Sequence, residues 1–206
     1  AGAVTVANSG VVHTDVYAGP GANVGSAISA GAGSITGSRG SLNAEVVMPA
    51  VEAPNHGPSV GDLTFRQHTF QVAQNLHVNN LNIETNAIVT NRGHLTIVCD
   101  GTFELRNKSH IRLEGDATLE LYLRGTGFIG QQAHFNVNTA DAFRATIFYL
   151  GTDPLIMDNT ADVYANIAAP DAQLQIGNSV HVRGNFIGRE FQLRNTGDFT
   201  IAGSGS

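Results

Sequence analysis

A short apolar couplet returns every eight residues between positions 87 and 123. The couplets are Ala87/Val89, Leu95/Ile97, Phe103/Leu105, Ile111/Leu113 and Leu119/Leu121, the last continuing to Leu123. Within a couplet the apolar residues stand two apart, which puts them on one face of a strand. Turn formers separate them: Asn91-Arg92-Gly93, Asp100-Gly101, Asn107-Lys108-Ser109 and Gly115-Asp116. The pattern predicts very short strands with a corner after each. Residues 63–86 already alternate (Phe65, Phe70/Val72, Leu76/Val78, Leu81/Ile83), and beyond 124 couplets continue at looser spacing to Phe199/Ile201. Residues 139–145 are the one stretch that predicts a helical turn. Pro154 and Pro170 mark corners or strand starts.

Two architectures accept evenly spaced short strands. Hairpins give an antiparallel β-sandwich. A chain that winds as a coil gives a parallel β-helix. Tight hairpins favour Asn-Gly or Asp-Gly loops, and only Asp100-Gly101 fits that form. Three couplets of eight residues make one coil of about 24 residues. The expected fold is therefore all-β, a three-sided parallel β-helix, with the sandwich as the alternative.

The remaining stretches divide the chain. Residues 1–47 scatter Val and Ile among Gly, Ala and Ser, which reads as an N-terminal segment of small-residue strands. Residues 48–62 carry Pro49, Pro54 and Pro58, an extended crossover in which proline blocks ladder hydrogen bonds. Residues 63–202 form the main β-helix, and 203–206 a Gly/Ser tail.

Composition narrows the function. Only 14% of the 206 residues are charged, with a single lysine, so Asn, Thr, Ser, Gln and Gly must cover the surface. Net charge is −6 with no basic run, which disfavours nucleic acid. No apolar run approaches the roughly 20 residues of a membrane helix. No signal peptide is seen, so the chain reads as a processed mature form or a fragment. The neutral polar surface is compatible with secretion.

Candidate chemistry is sparse. Lys108, His110 and Arg112 alternate along one strand and could face an anionic polysaccharide, as a polysaccharide-binding or polysaccharide-lyase β-helix would require; a solvated outer face is the plainer reading. The eight histidines read as scattered polar residues, without zinc-site spacing. No catalytic, metal or cofactor site is expected. Cys99, the single cysteine, reads as a buried thiol, or else as an intermolecular cross-link. Corner asparagines (Asn79/Asn80, Asn82, Asn86, Asn91, Asn107) are expected to stack as ladders, each amide bonded to the next.

Several segments resemble a family of bacterial surface-associated proteins of unassigned function, often found beside pilin-like membrane anchors. Val163-Tyr-Ala-Asn-Ile-Ala-Ala-Pro-Asp-Ala172 resembles the family's corner, Gly184-Asn-Phe-Ile-Gly188 its glycine-bounded strand. Leu174-Gln-Ile-Gly-Asn178 and Phe191-Gln-Leu-Arg-Asn195 resemble its strand-plus-Asn repeats. The resemblance implies a right-handed parallel β-helix over roughly residues 45–202 and no catalytic residues. The expected function is an extracellular or cell-surface structural protein. It would self-assemble into a filament or surface layer through open β-helix ends and N-terminal strands. Its expected partners are further copies of itself, with cell-surface polysaccharide second. An adhesin module is a further alternative.

Overall fold

The computed structural model describes residues 3–7, 9–13, 15–31, 33–44, 50–194 and 198–201. Val46, Val47, Pro49 and the 203–206 tail lie outside these residues, as do the side chains of Phe199 and Ile201.

Two small coils come first in the chain. They comprise β1 (Val4–Val6), β2 (Val11–Val12) and β3 (Val16–Ala18), then β4 (Ile28–Ser29), β5 (Ser34–Ile35) and β6 (Arg39–Ser41). A one-turn helix, α1 (Val24–Ala27), joins them, its first amides capped by the Asn23 side chain. After the crossover, the main coils begin with β7 (Leu63–Phe65), β8 (Thr69–Gln71) and β9 (Leu76–Val78). Next come β10 (Leu81–Ile83), β11 (Ile88–Asn91) and β12 (His94–Cys99), followed by β13 (Phe103–Leu105), β14 (His110–Leu113) and β15 (Thr118–Leu123). Then follow β16 (Gly127–Ile129), β17 (His134–Phe135), β18 (Ala145–Tyr149), β19 (Leu155–Met157), β20 (Asp162–Tyr164) and β21 (Asn166–Ile176). The last are β22 (His181–Gly184), β23 (Phe186–Leu193) and β24 (Asp198–Ile201).

Every strand pair among the described residues is parallel, each strand bonding to its counterpart one coil away. The fold is a β-solenoid of three sides, and the antiparallel sandwich is excluded. The first side runs β7-β10-β13-β16-β19, the second β8-β11-β14-β17-β20-β22-β24, the third β9-β12-β15-β18. β21 bends from third side to first: Ile167 pairs with Ile147 of β18, and Leu174 with Leu155 of β19. Pro170 sits at that bend, where the register against β23 shifts between Ala169 and Gln173. The couplets from Ala87 to Leu123 all point inward and are buried. This continuous apolar core is what holds such short strands together, because none could bury its face alone.

The coil is less regular than a 24-residue repeat. Along the first side, Leu63 opposes Leu81, Phe103, Gly127, Leu155, Leu174 and Phe191 in turn, at steps of 18, 22, 24, 28, 19 and 17 residues. The 28-residue coil holds the expected helical turn, as two 3-10 turns at Val137–Thr139 and Ala142–Arg144. There Asn136, fully buried, donates its amide to the carbonyls of Asp141 and Tyr164.

The asparagines staple coil to coil, but not as amide-on-amide ladders. Their side-chain oxygens accept from backbone N–H groups of the following coil: Asn80 from Thr102, Asn107 from Gln131, Asn159 from Asn178, Asn166 from Asn185. At a corner the backbone N–H is the group left without a ladder partner, so it takes the amide oxygen.

The N-terminal coils continue the same stack from its far end. Val4 and Val6 pair with Phe191 and Leu193 of β23, and Val11 and Val12 with Asp198 and Phe199 of β24. β4 and β5 pair outward of β1 and β2. The spatial order of coils is thus 28–41, 4–18, the C-terminal coil, and onward down to 63–78. Neither end of the stack is a chain terminus. The crossover must travel the length of the solenoid, and it rejoins on the third side, where the Val60 amide donates to the His77 carbonyl and the Asn79 amide to the Gly61 carbonyl. On that side Thr96, Val98 and Tyr122 point outward yet are buried, Val98 at 1% exposure, and the Tyr122 ring stacks on Phe148 at 4.6 Å.

Candidate functional site

Lys108, His110 and Arg112 do come together. His110 and Arg112 point outward from β14 on the second side, and Lys108 stands at the preceding corner with φ +59°. Lys108 and His110 border a shallow, open groove with Gln132, His134 and Thr160, which adjoins at His110 and His134 a second one lined by Arg112, Val137 and Asn138.

The pairing register adds residues that sequence reading missed. His110 opposes His134, which opposes Asp162, then His181, then Asp198. One outward column of the second side therefore carries titratable groups over five coils. The His110 and His134 rings stack at 4.8 Å and 14°. Asp162 receives both neighbours, His134 Nδ1 at 3.0 Å and His181 Nδ1 at 3.2 Å, and His13 lies 3.6 Å from Asp198. Burial, then the charges of His134 and Arg112, hold the His110 pKa below its ordinary 6.5. His110 is thus neutral at pH 7, an acceptor or weak base beside the Arg112 cation. Among the described residues no three His, Cys, Asp or Glu side chains converge on a point that could hold a metal. The groove offers no aromatic platform; the nearby Tyr164 ring lies under the Arg183 guanidinium at 5.9 Å. The column was discoverable only from the His110-to-His134 interval of 24 residues, because the next intervals follow irregular coil lengths.

Cys99 lies inside the coil, fully buried, its sulfur against the carbonyls of Asn79 and Thr102. Burial pushes the thiol up to about 11, so it is protonated and inert at neutral pH. The folded coil leaves the sulfur no path to a second molecule.

The end of the stack at β7–β9 has a different character. Leu63 N–H and Phe65 C=O bond to β10, so the Thr64 amide and carbonyl face the open edge. In β8 the bonds of His68, Phe70 and Val72 likewise go to β11, leaving Thr69 and Gln71 edge-facing. On the third side the edge of β9 is taken by Val60 and Gly61 of the chain itself. Behind these edges the interior residues Leu63, Phe65, Phe70 and Leu76 are only half-buried, with the Phe65 and Phe70 rings 5.0 Å apart. Val60 is 71% exposed. At the opposite end, β4 and β5 present a second edge with no further strand among the described residues, backed by the partly buried Ala27, Ala30 and Ile35.

Among the described residues, no helix is long and apolar enough to cross a membrane. No curated protein and no solved structure matches the chain. A family described as a domain of unknown function, DUF7305, matches residues 21–204. That match spans both stack ends, the strap and the second-side column, and the chain belongs to the DUF7305 family.

Proposed function

We propose that this protein is an extracellular structural protein that self-assembles into a filament or surface layer by stacking coil end on coil end. The observation that carries this reading is the pair of open edges. Because all pairing is parallel, a copy stacked head to tail would bring β4 and β5 against β7 and β8 with matching direction, side by side. Such a contact is heterologous and non-closing, so it propagates. It would pair the edge amides of Thr64, Thr69 and Gln71 and cover the half-buried Phe65 and Phe70. The bacterial surface setting and the pilin-like neighbourhood of the resemblance fit this role.

A Thr64→Pro chain tests it. Proline there removes an edge-facing N–H without breaking a bond to β10, and edge strands accept proline. Negative-stain microscopy of the parent at high concentration is expected to show fibres. The variant, folded by circular dichroism, is expected to show at least about tenfold fewer, the weight of roughly 1.4 kcal/mol per joint. Monodisperse parent protein at every concentration would sink the proposal.

A second reading rests on the second-side groove, where Lys108, His110 and Arg112 meet His134. A polysaccharide-binding face would be retained on an immobilised polyuronate, with retention falling on Arg112→Ala and at raised salt. Retention unchanged by both would dismiss it. Release of unsaturated product would make it a lyase.

A further inference from the structure

The joint between the N-terminal coils and the C-terminal coil is unlike every other joint in the stack. Elsewhere, successive coils are joined by a corner of a few residues. Here β1 seats on β23 and β2 on β24, pairing Thr5 with Gln192 and Val11 with Asp198, across nearly the whole length of the chain. The molecule thus already contains a coil-on-coil contact made without a direct chain connection. Only the strap tethers its two halves. The strap is also generously long. From β6 to β9 the stack steps down eight coils, about 38 Å at 4.8 Å per coil. The 18 residues 42–59 can extend about 59 Å at 3.3 Å each. The slack lets the N-terminal unit reach beyond its own chain.

We infer that residues 3–44 form an exchangeable cap, which seats on the C-terminal coil of a second copy through the same pairs that it makes on its own. This deepens the assembly reading above and rests on it, but uses a different surface: the β23–β24 edge, not the β7–β8 edge. The occupant is fixed by the pairs themselves. Val4 and Val6 continue the interior column of Phe191 and Leu193, and a second copy offers that column unchanged. Exchange adds no new contact and loses none, so linkage alone decides between own and foreign seat. A short flexible tether holds its ligand at an effective concentration of the order of millimolar. The cap stays at home in dilute solution and exchanges where copies crowd to that density, as they do along a fibre. Chains so linked are threaded to one another and cannot separate by simple end-on dissociation.

The test mixes two chains, one carrying Thr5→Cys and one Gln192→Cys, each polar side chain pointing outward. They are co-refolded and oxidised at low and at millimolar concentration. A disulfide between the two different chains can form at this register only if a cap has seated in trans. The mixed dimer, identified by mass, is expected to rise at least about tenfold between the two concentrations. A second chain pair, Val11→Cys with Asp198→Cys, repeats the measurement at the β2/β24 joint should the first substitution disturb folding. A third variant lacks residues 45–53. Its remaining nine strap residues span about 30 Å, too short for the home seat, so it is expected to form dimers or longer chains at micromolar concentration. A folded monomer of that deletion variant, or no mixed disulfide at millimolar concentration with either pair, would overturn the exchange. Fibres from the parent in the same experiment would then leave end-on assembly standing, whereas their absence would remove both.

Discussion

A Gly125→Ala chain is expected to unfold about 6–12 °C below the parent, a large loss for one added methyl. Gly125 stands at the corner between the third and first sides. A Cβ built there would lie 2.2 Å from the Gly101 carbonyl oxygen and 2.7 Å from its carbon. Both are backbone atoms of the coil below, so no side chain can swing aside. The same corner recurs on the coil above, where a Cβ on Gly151 would meet the Gly125 oxygen at 2.4 Å. Three glycines thus stack where successive coils come too close for a side chain. The coils are also tied across this corner, Arg124 Nη1 to Asp100 Oδ1 at 2.7 Å and Thr126 Oγ1 to Thr102 Oγ1 at 3.2 Å. Relief of the clash means lifting one coil off the next and losing ladder bonds on two sides. Overpacking of this kind costs about 3 kcal/mol, and a chain of this size loses about 2–4 °C per kcal/mol. Gly93→Ala is the control, since a Cβ there meets nothing within 4 Å. Thermal unfolding by circular dichroism decides it. A Gly125→Ala shift no larger than that of Gly93→Ala would mean that the coils are spaced more widely than this corner requires.

These glycines show where the sequence could be read and where it could not. The couplets were legible because period two on brief strands is a strong local signal, and each of those from Ala87 to Leu123 points inward as read. Asp100-Gly101 was legible as a corner, yet its vertical partners Gly125 and Gly151 were not, because nothing local distinguishes a glycine crowded from below from one in a loose turn. The second-side column was hidden for the same reason. His110, Asp162 and His181 become neighbours only once the 28- and 19-residue coils are known, and those lengths depend on how much chain each corner accommodates. The seat of the N-terminal coils was invisible too: Val4, Val6, Val11 and Val12 look equally suited to any apolar column, and which coil they cap is a matter of global topology. The nearness of Lys108, His110 and Arg112, by contrast, needed only strand alternation and a corner.

Raising the pH from 6 to 8.5 is expected to loosen the strap at its anchor, speeding hydrogen exchange at the Asn79 amide about fivefold to tenfold beyond its intrinsic change, the scale of one lost hydrogen bond. The anchor is His77. Its Nδ1 lies 2.5 Å from the Gly57 carbonyl oxygen and its Nε2 2.8 Å from Asp100 Oδ2. A carbonyl and an ionised carboxylate can only accept, so both ring nitrogens must donate, and only the imidazolium carries two N–H groups. The Gly57 bond, then Asp100, raise the His77 pKa above 6.5, against burial and the Arg124 charge. Asp100 is held below 3.8 in return, first by His77 and also by Arg124. The signs follow by linkage. A raised histidine contributes its stability in full below 6.5 and loses it as pH climbs through the folded value. A depressed aspartate contributes above 3.8 and loses it as pH falls through its own folded value. The clamp is therefore at full strength between about 3.8 and 6.5 and weakens on the alkaline side. His110 runs the other way: its depressed pKa makes acid, not alkali, destabilising, since the unfolded chain takes up that proton first. Global stability mixes the two, and the local amide does not, because Asn79 donates to Gly61 within the strap itself. His77→Phe is expected to abolish the pH dependence at Asn79 and hold it at the faster rate. An Asn79 amide whose protection is the same at both pH values in the parent would show that His77 holds a single acceptor, with the strap secured by the backbone bonds of Val60 and Gly61 instead.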